Sequence, residues 1–163
     1  MRDEIKLVRA RIEDANLLYK LQIETFMPLY EKYHDDSTSP AKETLESITR
    51  KITDPNSEFY IIFVEGEIAG GIRIRHHDGK IVWNNISWIS PLFIISDFQN
   101  RGIAQKVMQK IFKQYPETTT WKLDTIKQEE GNCHLYEKCG FVRVGQERMI
   151  NEHMTLVDYE RTI

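Results

Sequence analysis

The sequence predicts one α/β domain, a mixed and mostly antiparallel sheet of about six to seven strands flanked by about four helices. Three observations predict it. The chain has 163 residues, 40% of them apolar and 10% aromatic, enough for one domain to bury a core. Stretches with a period of two alternate along the chain with stretches at helical spacing. The middle third is β-rich and carries Asp78-Gly79, a strong hairpin signal. No repeat, low-complexity run or linker divides residues 1–163.

The elements follow in order. Ile5 and Leu7 alternate with polar neighbours, which predicts a strand over about 4–10. Leu17, Leu18, Leu21 and Phe26 recur at helical spacing, with Asp14 as the expected N-cap. Residues 30–39 are polar and irregular, a surface loop. Ser39-Pro40 then opens a second helix to about residue 53, since serine caps and proline suits the first turn. Residues 59–64 and 68–76 read as paired strands around Glu65-Gly66-Glu67. Residues 81–95 read as one long strand, and Pro91, which cannot donate to a ladder, predicts a bulge. Ile103, Ala104, Val107, Met108, Ile111 and Phe112 make an amphipathic helix that Pro116 closes. A strand at 121–126, a short helix at 132–139 ended by Gly140, and strands at 141–144 and 154–157 complete the order β-α-α-β-β-β-α-β-α-β-β, with helices on both faces.

Composition excludes several classes. Twenty-two basic against 25 acidic residues, a net charge of −3, leave no electrostatic footprint for nucleic acid. No apolar run approaches the roughly 18 residues of a membrane span, and the N-terminus lacks the apolar stretch of a signal peptide. Two cysteines make no disulfide framework, and His134 and His153 have no metal-ligand company. The expectation is a cytoplasmic protein without a metal.

Two segments carry chemistry. In Gln99-Asn100-Arg101-Gly102-Ile103-Ala104 a strand and turn lead into a helix. Small residues at Gly102 and Ala104 leave the first N–H groups of that helix approachable, and those groups lack intrahelical partners. With the helix dipole they suit a phosphate or pyrophosphate. The motif is neither a Walker loop nor a three-glycine dinucleotide fingerprint. In the second segment Asn132 and Tyr136 lie four apart on one helix face, ahead of Gly140-Phe141. Each segment alone is weak, since a tyrosine on a short helix is usually packing.

Together, in this order, the two segments resemble the GNAT superfamily of acyl-CoA-dependent N-acyltransferases. Gln99 to Ala104 matches its Gln/Arg-x-x-Gly-x-Gly/Ala signature, and Asn132, Tyr136, Gly140 and Phe141 match its Asn-x-x-x-Tyr-x-x-x-Gly-Phe segment. Ser96 stands where proline is usual. The resemblance covers essentially the whole chain. It implies a V-shaped splay between the fourth and fifth strands that holds acetyl-CoA. It further implies that Phe93, Ile94 and Ile95 pair with the pantetheine and that the backbone of residues 99–104 holds the pyrophosphate. Asn132 resembles the residue that steadies the pantetheine arm. The Ile94 N–H is the expected donor to the carbonyl oxygen, and Tyr136 the expected general acid for the leaving thiolate.

The family often places a glutamate on the fourth strand as base; here Asn84-Asn85-Ile86-Ser87-Trp88 has no carboxylate. His76, His77, Glu24 or a water chain are the alternatives. Phe26, Tyr30, Tyr33, His34 and Trp88, with acidic Glu31, Asp35 and Asp36, are the expected surroundings of the acceptor. The implied reaction is acetyl transfer to a primary amine of a small molecule. Two alternatives stay open: a non-catalytic acyl-CoA sensor or scaffold of the same fold, and a transferase acting on protein N-termini or lysines. The last strands, about 148–159, are expected at a sheet edge that invites pairing with a second copy, so a homodimer is a candidate assembly.

Overall fold

The structure, a computed structural model, describes residues 4–163. Seven of its strands form one sheet: β1 (Ile5–Arg9), β2 (Ser57–Val64), β3 (Glu67–Arg75), β4 (Ile86–Ile94), β5 (Thr120–Ile126), β6 (Val142–Asn151) and β7 (Met154–Thr162). Their spatial order is β1-β2-β3-β4-β5-β7-β6. Every neighbouring pair is antiparallel except β4 and β5, which run parallel. The α-helices are α1 (Ala15–Tyr33), α2 (Leu45–Thr53), α3 (Ile103–Gln114) and α4 (Glu130–Lys138).

Alternation along the strands sorts the core into two layers. Phe59, Ile61 and Phe93 pack against Leu18 of α1 and Ile48 and Ile52 of α2. Ile62, Ile72, Trp121 and Leu123 pack on the other face against Val107, Met108 and Ile111 of α3 and Cys133 of α4. Those three α3 side chains are fully buried, each stabilising by about 1.5–3 kcal/mol.

Several sequence expectations need correction. Asp14 does not cap α1 with its side chain; its carboxylate accepts the Arg11 N–H at 2.8 Å and closes a 3₁₀ turn before the helix. The helix α1 runs through Pro28 to Tyr33 rather than ending near residue 30. Ser39 caps only the 3₁₀ turn Pro40–Lys42; Glu43 is extended, and Thr44 caps α2 by accepting the Ser47 N–H at 3.1 Å. The segment 81–95 is divided: Ile81–Val82 pairs with His77–Asp78 in a separate small hairpin, Asn85 turns to φ 63°, and β4 begins afterwards. The sheet edge is β6, while β7 lies inside between β5 and β6. The pairing of β6 with β7 is irregular at two places, between Val144 and Arg148 and between Met149 and Asn151, and such bulges blunt an edge.

The expected bulge in β4 is present. Ile72 pairs with Leu92 but Ile74 with Ile89, so Ser90 and Pro91 stand opposite Arg73 alone. The extra residue resets the alternation: Ile89 and Leu92 face the α3 layer, and Phe93 faces α1 and α2. Beside the bulge, β3 and β4 approach closely. A Cβ on Gly70 would fall 1.9 Å from the Phe93 carbonyl oxygen, and one on Gly71 would fall 2.9 Å from the Phe93 ring.

Candidate active site

The site begins where β4 and β5 part. Their pairing covers Ile86 with Thr120, Ser87 with Trp121 and Trp88 with Lys122, then stops. Beyond it, β4 bends at its bulge and the two strands open into a V. Ile95 donates its N–H to the Ala69 carbonyl of β3 at 2.8 Å. By ladder alternation Phe93 also turns its backbone to β3, and the N–H and C=O of Ile94 face the splay. Gln99 Nε2 donates to that Ile94 carbonyl at 2.8 Å. Of the three strand residues expected at the pantetheine, the register thus directs Ile94 into the gap, with Phe93 and Ile95 on either side.

At the mouth of the V, β4 passes through the 3₁₀ turn Ser96–Phe98 into residues 99–102 and then α3. Asn100 and Gly102 have φ of 62° and 72°, and Gly102 is the N-cap without a side-chain cap bond. Among the described residues, the N–H groups of Asn100, Gly102, Ile103, Ala104 and Gln105 have no backbone acceptor. Positive φ at alternate residues turns successive N–H groups to one side, an anion-binding concavity continuous with the positive end of α3. Nothing lies within 4 Å of where a Cβ on Gly102 would be, so glycine both permits the conformation and leaves the concavity open. Arg101 lies over the Phe98 ring at 5.1 Å, beside this turn.

The other wall is α4. Asn132 is exposed on it, and Tyr136 is half-buried one turn later. The Tyr136 ring rests against Phe141 at 6.1 Å and Tyr159 at 6.2 Å. Tyr159 is fully buried; its hydroxyl accepts from Arg143 Nε at 2.9 Å and donates to Glu137 Oε2 at 2.8 Å, tying α4 to β6 and β7. Burial, and then the charge of Asp124, push the Tyr136 phenol above its ordinary range, so it keeps its proton at neutral pH. Its hydroxyl bonds to no described residue. Cys133 and Cys139 are buried free thiols.

The expected bases lie elsewhere. His76 is held by Ser87 Oγ at 2.9 Å and Glu58 Oε1 at 2.6 Å, below the closed end of the V. Burial pushes the Glu58 carboxyl up, and hydrogen bonds from His76 and Tyr115 outweigh it, leaving it below the ordinary value. His77 is held by Asp54 and the Gly79 carbonyl, and Glu24 is exposed on α1. Sequence reasoning did not single out Asp124, which stands on the open part of β5 and shares Arg148 with Asp158.

The acceptor-side residues divide. Phe26 packs edge-on to Phe93 at 6.0 Å. Tyr30 hydrogen-bonds Asp36 and lies under Lys42 at 4.4 Å, and His34 packs against Tyr30. Tyr33 and Lys32 both reach Glu129, which docks the end of α1 onto the β5–α4 turn. Trp88 joins Trp83 and Arg75 in a stacked cluster. A cavity of about 280 Å³ opens between the loop after α1, with Asp36 and Ser39, and the Ser90-Pro91 bulge. Among the described residues no group of three side chains is suited to a metal ion, and no helix is long and apolar enough to cross a membrane.

The model of the acetyltransferase (GNAT) family matches residues 16–141. The chain belongs to the GNAT family. Solved acetyltransferase structures share its fold at low identity. An acetyltransferase from Thermus thermophilus superposes with TM-score 0.74 at 17% identity, covering 98% of this chain and 97% of that one. A Salmonella typhimurium acetyltransferase that modifies the N-terminal serine of a ribosomal protein gives 0.73 at 17%, covering 98% and 95%. The spermidine N-acetyltransferase of Vibrio cholerae, solved with CoA and spermine, gives 0.74 at 14%, covering 97% and 95%. The V between β4 and β5, the helix start at Gly102 and the Asn132–Tyr136 face lie in a chain of the GNAT family, and residues 16–141 of the family match contain all three.

Proposed function

We propose that this GNAT protein is an acetyl-CoA-dependent N-acetyltransferase that acts on the primary amine of a small molecule. The observation that carries the reading is the splay. A strand edge with the Ile94 N–H and C=O turned inward leads into a concavity of unpartnered N–H groups, with a protonated phenol on the opposite wall. In this reading Ile94, flanked by Phe93 and Ile95, pairs with the pantetheine as an added strand would. The N–H groups of Asn100, Gly102, Ile103 and Ala104 receive the pyrophosphate, with Arg101 in the same turn; Gln99, whose N–H donates to the Ser96 carbonyl at 3.2 Å, shapes the turn instead, and Asn132 steadies the arm. The Ile94 N–H donates to the thioester oxygen as charge develops on it. Tyr136 protonates the departing thiolate.

Retention of Tyr136 with Asn132 favours turnover over a sensor role. The test is release of free thiol from acetyl-CoA in the presence of spermidine, an aminoglycoside, a free amino acid, or a peptide with an unblocked N-terminus. The expected outcome is release with one of the first three. Release with the peptide alone would move the assignment to protein N-termini, and release with none would favour the sensor.

A further inference from the structure

Asp124 stands two residues past Lys122, the last residue of β5 paired with β4. Trp121 and Leu123 point into the α3–α4 layer, so by alternation Asp124 lies on the opposite face, the side of α1 and its following loop. Its partner across the ladder is Asp158 of β7. Two carboxylates directly opposite each other repel. Here Arg148 of β6 separates them, with one guanidinium nitrogen 2.6 Å from Asp158 and 3.1 Å from Asp124. Arg148 reaches them from between the two irregularities of β6, and bulges of this kind re-aim a side chain. The shorter bond goes to Asp158, and the Asp124 side chain keeps 35% exposure at the lip of the V. The β4 residues from Ile89 to Ile94 offer no carboxylate, and His76 and His77 are engaged by Glu58 and Asp54.

We infer that Asp124 is a catalytic residue of the transfer: it pairs with the ammonium of the acceptor and takes its proton, while Arg148 and Asp158 hold it in place. This rests on the acyl-transfer reading above. The proton balance is complete. The ammonium gives one proton to Asp124, and the freed lone pair forms the C–N bond at the thioester carbonyl. The adduct breaks its C–S bond, the thiolate takes the Tyr136 proton, and the tyrosinate recovers a proton from the amide nitrogen. Asp124 then returns its proton to water. After burial, the Asp124 charge is the next cause that raises the Tyr136 phenol, so neutralising Asp124 eases release of that proton once the amine has been deprotonated.

The test uses the full chain with whichever amine of the panel the wild-type protein acetylates. Asp124→Asn is expected to lower kcat by about 10²-fold while the KM for acetyl-CoA stays within about twofold, and Asp124→Glu to recover part of the loss. Equal loss in both variants with a fall in melting temperature would assign Asp124 a structural role and overturn the inference. An Asp124→Asn protein as active as wild type, beside an inactive Tyr136→Phe protein, would overturn it and leave the acyl-transfer reading intact. A wild-type protein that acetylates none of the amines overturns both.

Discussion

Tyr136→Phe is expected to lower kcat by about 10²-fold or more, the usual contribution of a positioned general acid, with acetyl-CoA affinity nearly unchanged. The substitution removes one oxygen and keeps the ring. The contacts with Phe141 and Tyr159 therefore survive, as does the tie of α4 to β6 and β7 through Tyr159, Arg143 and Glu137. The lost hydroxyl bonds to no described residue, so no buried partner is orphaned and stability should change by less than about 1 kcal/mol. What disappears is a proton donor in a wall of the V. A thiolate leaving group has a conjugate acid near pKa 8.5 by analogy with cysteine, so an unprotonated departure is a barrier at neutral pH. Steady-state kinetics with the preferred amine, beside a melting curve, reads both quantities. Unchanged turnover would remove Tyr136 from the mechanism.

Gly70→Ala is expected to be the most damaging single-methyl change in the sheet. Its Cβ would sit 1.9 Å from the Phe93 carbonyl oxygen and 2.9 Å from the carbonyl carbon, both backbone atoms. No rotamer change relieves such a clash. The protein must separate β3 from β4 or twist β4, and either movement disturbs the strand that lines the V. Overpacking costs of about 1–3 kcal/mol are typical for side chains that can shift, and a backbone clash belongs at or above the upper end. For a chain of this size 3 kcal/mol corresponds to a fall in melting temperature of roughly 6–12 °C. Calorimetry on the purified variant checks this. A loss under about 1 kcal/mol would mean that the strands are farther apart than described.

The parts of this site legible in the sequence are those written in short windows. The amphipathic spacing from Ile103 to Ile111 locates α3, and Gly102 before it marks the open helix start. Asn132 and Tyr136, four residues apart, share the α4 face wherever that helix packs. Pro91 announces the bulge because a missing N–H is a local fact. The parts that are not legible depend on register and on distant partners. Asp124, Asp158 and Arg148 meet only because β7 inserts between β5 and β6 and because β6 is irregular on both sides of Arg148. His76 and His77 read as available in the sequence because the residues that engage them, Glu58 and Asp54, lie 18 and 23 positions earlier. Tyr30 to Tyr33 is polar and reads as loop, yet it is helical. Contacts from Lys32 and Tyr33 to Glu129, about a hundred residues on, stabilise the last turn.

The most direct test of the account is the melting temperature with and without acetyl-CoA, alongside Gly102→Val as the comparison. Gly102 holds a φ of 72° in front of open space, so valine strains the turn and fills the concavity. At about 100 times its dissociation constant acetyl-CoA should stabilise the wild-type protein by about 2.7 kcal/mol, a rise of roughly 5–10 °C, and should stabilise Gly102→Val far less. No rise in the wild-type protein would mean that the V between β4 and β5 does not receive the cofactor, and would contradict the function proposed for it.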